Sequence, residues 1–309
     1  MVGKKALLPD YPTLLVIAGP TAVGKTSVAI EVALHFGCEI ISADSRQFYR
    51  ELRIGTATPS IQQLASVQHH FIGNLSLAED YNVSRYEQEV LSILPDLFVK
   101  GQIVVMTGGS GLYIKAVCEG IDVLPDADPL LRETLQFKLE SEGLASLRGM
   151  LQKLDPEYYQ IVDLANPNRI IRALEVCLAT GKPYSVFRKH KPAQRDFRII
   201  KIGLDLPREE LHHNINNRVD QMVSEGLEQE ARDFYHLRHL NALNTVGYRE
   251  LFGYFDGNCT LPDAIEKIKT NTRRYARRQL TWFHKDKKMI WCRPDVEEVI
   301  LAVEAAFEE

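Results

Sequence analysis

Cysteine is scarce and scattered in this 309-residue chain, which has five: Cys38, Cys118, Cys177, Cys259 and Cys292. None forms a C-x-x-C pair. Neither a zinc site nor a disulfide framework is expected, and the cytoplasm is the natural compartment. Long apolar runs are missing too. No stretch reaches the roughly 18 residues that a membrane-spanning helix needs, so no membrane partner is expected. Met1 to Asp10 holds Lys4 and Lys5 but nothing like a secretory leader. An overall basic charge is also absent: 37 Lys and Arg stand against 41 Asp and Glu, a net charge of −4. That excludes a uniformly basic nucleic-acid binder and leaves room for a local basic patch. Internal repeats and low-complexity tracts do not occur. What is present, 45% hydrophobic and 25% charged residues, is the ordinary globular balance. The length predicts two domains, or one with a large insertion.

Short apolar, β-branched runs at Thr13 to Ala18, Cys38 to Ala43 and Ile103 to Thr107 read as buried strands. Helical spacing follows in Ser27 to Phe36 and Ser84 to Lys100, the latter stopped by Gly101. This alternation predicts an α/β fold, a parallel sheet with helices on both faces. From Asp126 to Thr180 helical stretches dominate, among them Pro129 to Glu142 and Arg169 to Leu178. The sheet resumes at Ile199 to Leu206 and ends with Met289 to Cys292. The expected organisation is a P-loop catalytic core over 1–121 and 197–309, interrupted by a mostly helical inserted domain over 122–196.

Gly19-Pro20-Thr21-Ala22-Val23-Gly24-Lys25-Thr26 fits G-x-x-x-x-G-K-[ST] and lies between a predicted strand and a predicted helix. Its glycines let successive amides aim at one anion, and the following helix adds its positive end. Lys25 supplies a cation, and Thr26 offers a hydroxyl to Mg²⁺. The motif establishes phosphate binding without saying whether a phosphoryl group moves. Asp44, just after a strand, stands where ligands meet a parallel sheet. By position alone it is equally a general base, a metal-shell carboxylate or a cap.

Further segments carry a resemblance. They are Ile41 to Tyr49 (ISADSRQFY), Ile54 to Ala57 (IGTA), Gly108 to Tyr113 (GGSGLY), Asn168-Arg169, Arg172 to Glu175 (RALE), Val246 to Arg249 (VGYR) and Arg278 to Trp282 (RQLTW). With the phosphate motif they resemble the bacterial tRNA dimethylallyltransferases over nearly the whole chain. Val23 and Ser110 depart slightly from the family pattern. The resemblance implies transfer of a dimethylallyl group from dimethylallyl diphosphate to N6 of the adenosine at position 37 of tRNA, in the anticodon stem-loop. Mg²⁺ assists, and the protein acts as a monomer.

The resemblance also implies roles. Asp44 is the base. Lys25, Thr26 and Arg218 serve the diphosphate together with Gly19 to Gly24. The implied tRNA contacts are Asp44, Ser45, Arg46, Gln47, Ser110, Arg132, Asn168, Arg169, Ile170, Ile171, Arg172, Thr245, Val246, Gly247, Tyr248 and Arg249. Two basic stretches, Lys182 to Lys201 (with Lys189) and Lys267 to Lys288, add a reading from charge. In the second, Arg274 and Arg278 are spaced i, i+4, so their like charges disfavour an isolated helix and suit a polyanionic partner. Three alternatives stay open: prenylation of free AMP, ADP or ATP, a small-molecule kinase, and a nucleotide-switched RNA-binding module without catalysis.

Overall fold

The computed structural model describes residues 8–122, 124–125, 128–188 and 191–308. Lys4, Lys5, Asp126 and Lys189, named above, lie outside them. The chain forms two compact units. One runs up to Glu119 and resumes at Gln194; the other is Gly120–Ala193.

The first unit is built on parallel strands β1 (Thr13–Ala18), β2 (Ile40–Ser42), β3 (His69–His70), β4 (Ile103–Gly108), β5 (Arg198–Leu204) and β6 (Met289–Cys292). Their order is β3-β2-β4-β1-β5-β6, with β1 paired to β4 and β5. In chain order the helices are α1 (Lys25–Phe36), α2 (Ile61–Ser66), α3 (Val83–Lys100) and α4 (Gly111–Glu119) in this unit. The second unit holds α5 (Pro129–Glu142), α6 (Leu144–Leu154), α7 (Pro156–Ile161) and α8 (Pro167–Thr180). The first unit then continues with α9 (Arg208–Ser224), α10 (Leu227–Asp233), α11 (Tyr248–Phe255), α12 (Leu261–Phe283) and α13 (Val296–Phe307).

Strand periodicity sorts β1 between two cores. Leu14, Val16 and Ala18 join a cluster with side chains of α3, α4, α11 and α12. Leu15 and Ile17 point the other way, to α1, α13 and the start of α9. A strand buried on both faces needs no polar alternation, and Leu14 to Ala18 are all fully buried. The register levels Ala18 with Gly108 and Ser42 with Thr107. The turns after β1, β2 and β4 therefore leave one edge of the sheet side by side, where parallel sheets take ligands.

The strands expected at Cys38 to Ala43 and Ile199 to Leu206 are observed as the shorter β2 and as β5. β3 was not foreseen; two half-buried histidines at an edge carry no periodic signal. In the second unit Leu135, Leu147, Leu151, Ile170, Ile171 and Leu174 form the core. Buried Asp155 caps α7 by accepting the Tyr158 N–H at 2.9 Å, and accepts the Ser185 N–H at 2.7 Å. Among the described residues no helix is long and apolar enough to cross a membrane.

Candidate active site

The turn after β1 forms an anion cradle from its backbone. A Cβ on Gly19 would lie 2.6 Å from the Leu204 carbonyl oxygen, so the close passage to β5 requires glycine. Ala22 (φ 63°) and Gly24 (φ 100°) adopt left-handed conformations, which turn amides toward a common point. Gly24 leads directly into α1 with no side-chain cap, so the first amides of the helix are available to a ligand.

Two cations face this turn. Lys25 Nζ donates to the Pro20 carbonyl at 2.7 Å. Desolvation, then the neighbouring charge of Arg218, lowers its pKa to about 7, against the pull of Asp44. Arg218, on α9, donates to the Thr21 hydroxyl at 3.2 Å. Desolvation pushes its pKa down as well, and Asp44 again opposes the shift. A half-buried lysine poised near neutrality beside a second cation is a site prepared for an anion.

The turn after β2 carries Asp44. One carboxylate oxygen accepts the Arg46 N–H at 3.0 Å, and the Asp44 carbonyl accepts the Gln47 N–H at 3.1 Å. The carboxylate thus closes its own turn with one oxygen. Ser110, at the end of β4, accepts the Ser45 N–H at 3.0 Å and donates to the Ser45 hydroxyl at 3.2 Å. The Gln47 amide donates to the Thr56 and Ala57 carbonyls at 3.2 and 3.1 Å. Gln47 thereby fixes the 54–57 loop. The half-buried Arg46 guanidinium makes no hydrogen bond or ion pair to the described residues.

These turns line one cavity of about 710 Å³, shared by Thr21, Lys25, Thr26, Asp44, Gln47 and Arg218. An adjoining cavity of about 90 Å³ repeats Asp44 and Arg218 and adds Arg46, Thr245, Val246 and Gly247, with an apolar wall of Val219, Met222, Leu227 and Ile268. Three contributors were not given a role from the sequence. Tyr275 lines both cavities. Buried Gln279 accepts the Thr21 N–H at 2.9 Å and donates to the Gly109 carbonyl at 2.9 Å. Glu230 accepts the amides of Arg53, Ile54 and Gly55 at 2.9, 2.8 and 2.8 Å, and the Tyr248 hydroxyl at 2.6 Å. Of these, only Gln279 lay in a segment quoted for the resemblance.

A Cβ at Gly108 would run into Ala43 and one at Gly109 into Gln279, so both positions require glycine; Gly108 also lines the larger cavity. Ile170 and Ile171 are core residues of the second unit, and Tyr248 is fully buried on Glu230. Each helix turns the side chains of these three positions inward, so what they leave to a partner is their backbone and their exposed neighbours. Asn168 lies in the first turn of α8. The cap is Asn166, which accepts the Arg169 N–H at 3.2 Å, leaving Asn168 and Arg169 exposed.

The remaining arginines stay at the surface. Arg132 and Arg172 both reach the buried Glu175 carboxylate, at 3.2 and 3.3 Å. Arg249, Arg274 and Arg278 are exposed; Arg274 donates to Asn271, and Arg278 lies 5.7 Å from the Tyr275 ring centre.

The profile of the IPP transferase family matches residues 47–286. This chain belongs to that family. The tRNA dimethylallyltransferase 1 of Bacteroides thetaiotaomicron is 52% identical over 290 residues, 94% of this chain and 94% of its own length. The solved tRNA isopentenylpyrophosphate transferase of Bacillus halodurans is 35% identical, with a TM-score of 0.69 over 96% of each chain. A eukaryotic dimethylallyltransferase, caught acting on tRNA, is 28% identical with a TM-score of 0.72, over 87% of this chain and 69% of its own.

Proposed function

We propose that this protein transfers a dimethylallyl group from dimethylallyl diphosphate to N6 of an adenosine in tRNA, the one at position 37 in the anticodon stem-loop. The observation that carries the reading is the shared cavity. A carboxylate turn and a phosphate cradle with two cations line one space, and the family is one of prenyl transfer.

Each part has work to do. Adenine N6 attacks the first allylic carbon as its bond to the diphosphate oxygen breaks. The N6 proton passes to Asp44 through the carboxylate oxygen not used by the turn, and the electron pair leaves with the diphosphate. Lys25, Arg218 and the cradle amides stabilise the charge that grows there. The apolar wall of the smaller cavity suits the five-carbon tail.

Thr26 offers a hydroxyl oxygen in the cradle. Among the described residues no group of three or more His, Cys, Asp or Glu side chains is placed to cage a metal. A hydroxyl beside a phosphate cradle fits Mg²⁺, which takes its other ligands from phosphate oxygens and water. Thr26 would hold the ion, which when bound neutralises diphosphate charge. The RNA contacts of this reading are Ser45, Arg46, Gln47, Ser110, Thr245, Val246 and Gly247 around the cavities, with Arg132, Asn168, Arg169, Arg172, Arg249, Arg274 and Arg278 towards the surface. Five free cysteines fit the cytoplasm.

Single-turnover kinetics test the base. Asp44→Ala lowers the transfer rate by about 10²–10⁴-fold while diphosphate affinity holds. A near-normal rate removes Asp44 from the chemistry.

A further inference from the structure

We propose that Gln279 is a positioning residue that sets the diphosphate cradle in register with the turn carrying the base; this rests on the function proposed above. Its amide is buried, 6% exposed, and both ends are used. The oxygen accepts the Thr21 N–H and the nitrogen donates to the Gly109 carbonyl, each at 2.9 Å. Thr21 is held on its other side by Arg218, which donates to its hydroxyl at 3.2 Å. Gly109 leads to Ser110, whose hydroxyl accepts the Ser45 N–H at 3.0 Å, next to Asp44.

A continuous path therefore runs from Arg218 through Thr21, Gln279, Gly109 and Ser110 to the Asp44 turn. Its middle link must donate at one end and accept at the other. An amide does both; an ionised carboxylate only accepts, and a thioether does neither usefully. A Cβ on Gly109 would run into the Gln279 side chain, so the glycine is the counterpart of this contact. In-line displacement depends on such registration, since small misplacements of reacting groups cost large factors in rate.

Two variants separate positioning from packing. Gln279→Met keeps the volume and removes both hydrogen bonds. Gln279→Glu keeps the acceptor and loses the donor when ionised, and regains the donor when protonated. Burial favours the neutral, donating form of such a carboxyl and the Thr21 N–H favours the charged one, so lowering the pH shifts it toward the donor.

Single-turnover transfer to tRNA is followed for wild type and both variants between about pH 6 and 8.5, with thermal unfolding and inorganic diphosphate affinity measured alongside. Both variants should react about 10–100-fold more slowly than wild type near pH 8. The Gln279→Glu rate relative to wild type should recover as pH falls, while Gln279→Met stays low throughout. tRNA affinity should stay within about threefold of wild type. Rates within about twofold of wild type in both variants overturn the role. So does an equal, pH-independent loss in both that tracks a lowered unfolding temperature, which marks packing alone. If wild type itself transfers nothing, the proposed function fails and takes this inference with it.

Discussion

The cradle after β1 and the basic face of α12 meet anions in opposite ways. The cradle is held by contacts of its own. Its amides are turned by Ala22 and Gly24, and Lys25 and Arg218 are already placed on Pro20 and Thr21. Arg274 and Arg278 stand exposed on α12, the first tied among the described residues to Asn271 of its own helix. The difference follows from the ligands. A compact diphosphate in the reacting position needs directional donors that do not reorganise. A long polyanion is held by mobile charge and counterion release, which tolerate imprecise geometry. In the second unit Arg132 and Arg172 are intermediate: partly exposed, yet aimed by the buried Glu175.

Breaking the fixed side should have the largest effect. Lys25→Ala should lower turnover by about 10²–10³-fold and weaken inorganic diphosphate binding, with tRNA affinity unchanged. Equal loss of tRNA affinity would show that the two sites are not separable.

A pH titration sharpens the same contrast. With a pKa of about 7, Lys25 of the free protein is largely neutral above that pH. An anion favours its charged form, so binding takes up a proton there. Diphosphate affinity should therefore fall by up to about tenfold per pH unit above 7, beyond the ligand's own titration. Lys25→Arg, charged at every accessible pH, should lack that component. Identical pH profiles for the two proteins would refute a near-neutral Lys25.

The smallest effect belongs to the mobile side. Arg274→Ala together with Arg278→Ala should flatten the log–log salt dependence of tRNA affinity by roughly 0.7–0.9 per lost phosphate contact. Diphosphate affinity should not change. A folded double variant with an unaltered salt slope would make this face of α12 merely solvated.

Much of this contrast was legible from residues alone. The apolar run at Thr13 to Ala18, the glycines of the cradle and Lys25-Thr26 announce a strand, an anion turn and a helix within one local segment. Where a role depends on a distant partner, the sequence is silent. Gln279 meets Thr21 across 258 positions, and Glu230 meets Arg53 across 177. Neither spacing carries a local signal. A motif names contiguous residues together, whereas a helix divides their side chains by face. Ile170 and Ile171 go to the core, and Asn168 and Arg169 stay outside. Tyr248 is spent on Glu230, while its neighbour Arg249 is exposed.

The central claim is that a fixed phosphate cradle and a carboxylate turn act together on an adenosine presented by tRNA. It is tested most directly by offering labelled dimethylallyl diphosphate to the protein with tRNA and AMP in the same reaction. The nucleosides are then analysed by mass spectrometry. Label is expected on N6 of the adenosine at position 37 of tRNA and none on AMP. Label on AMP, or an unmodified tRNA while the cradle is shown to bind the diphosphate, would contradict it.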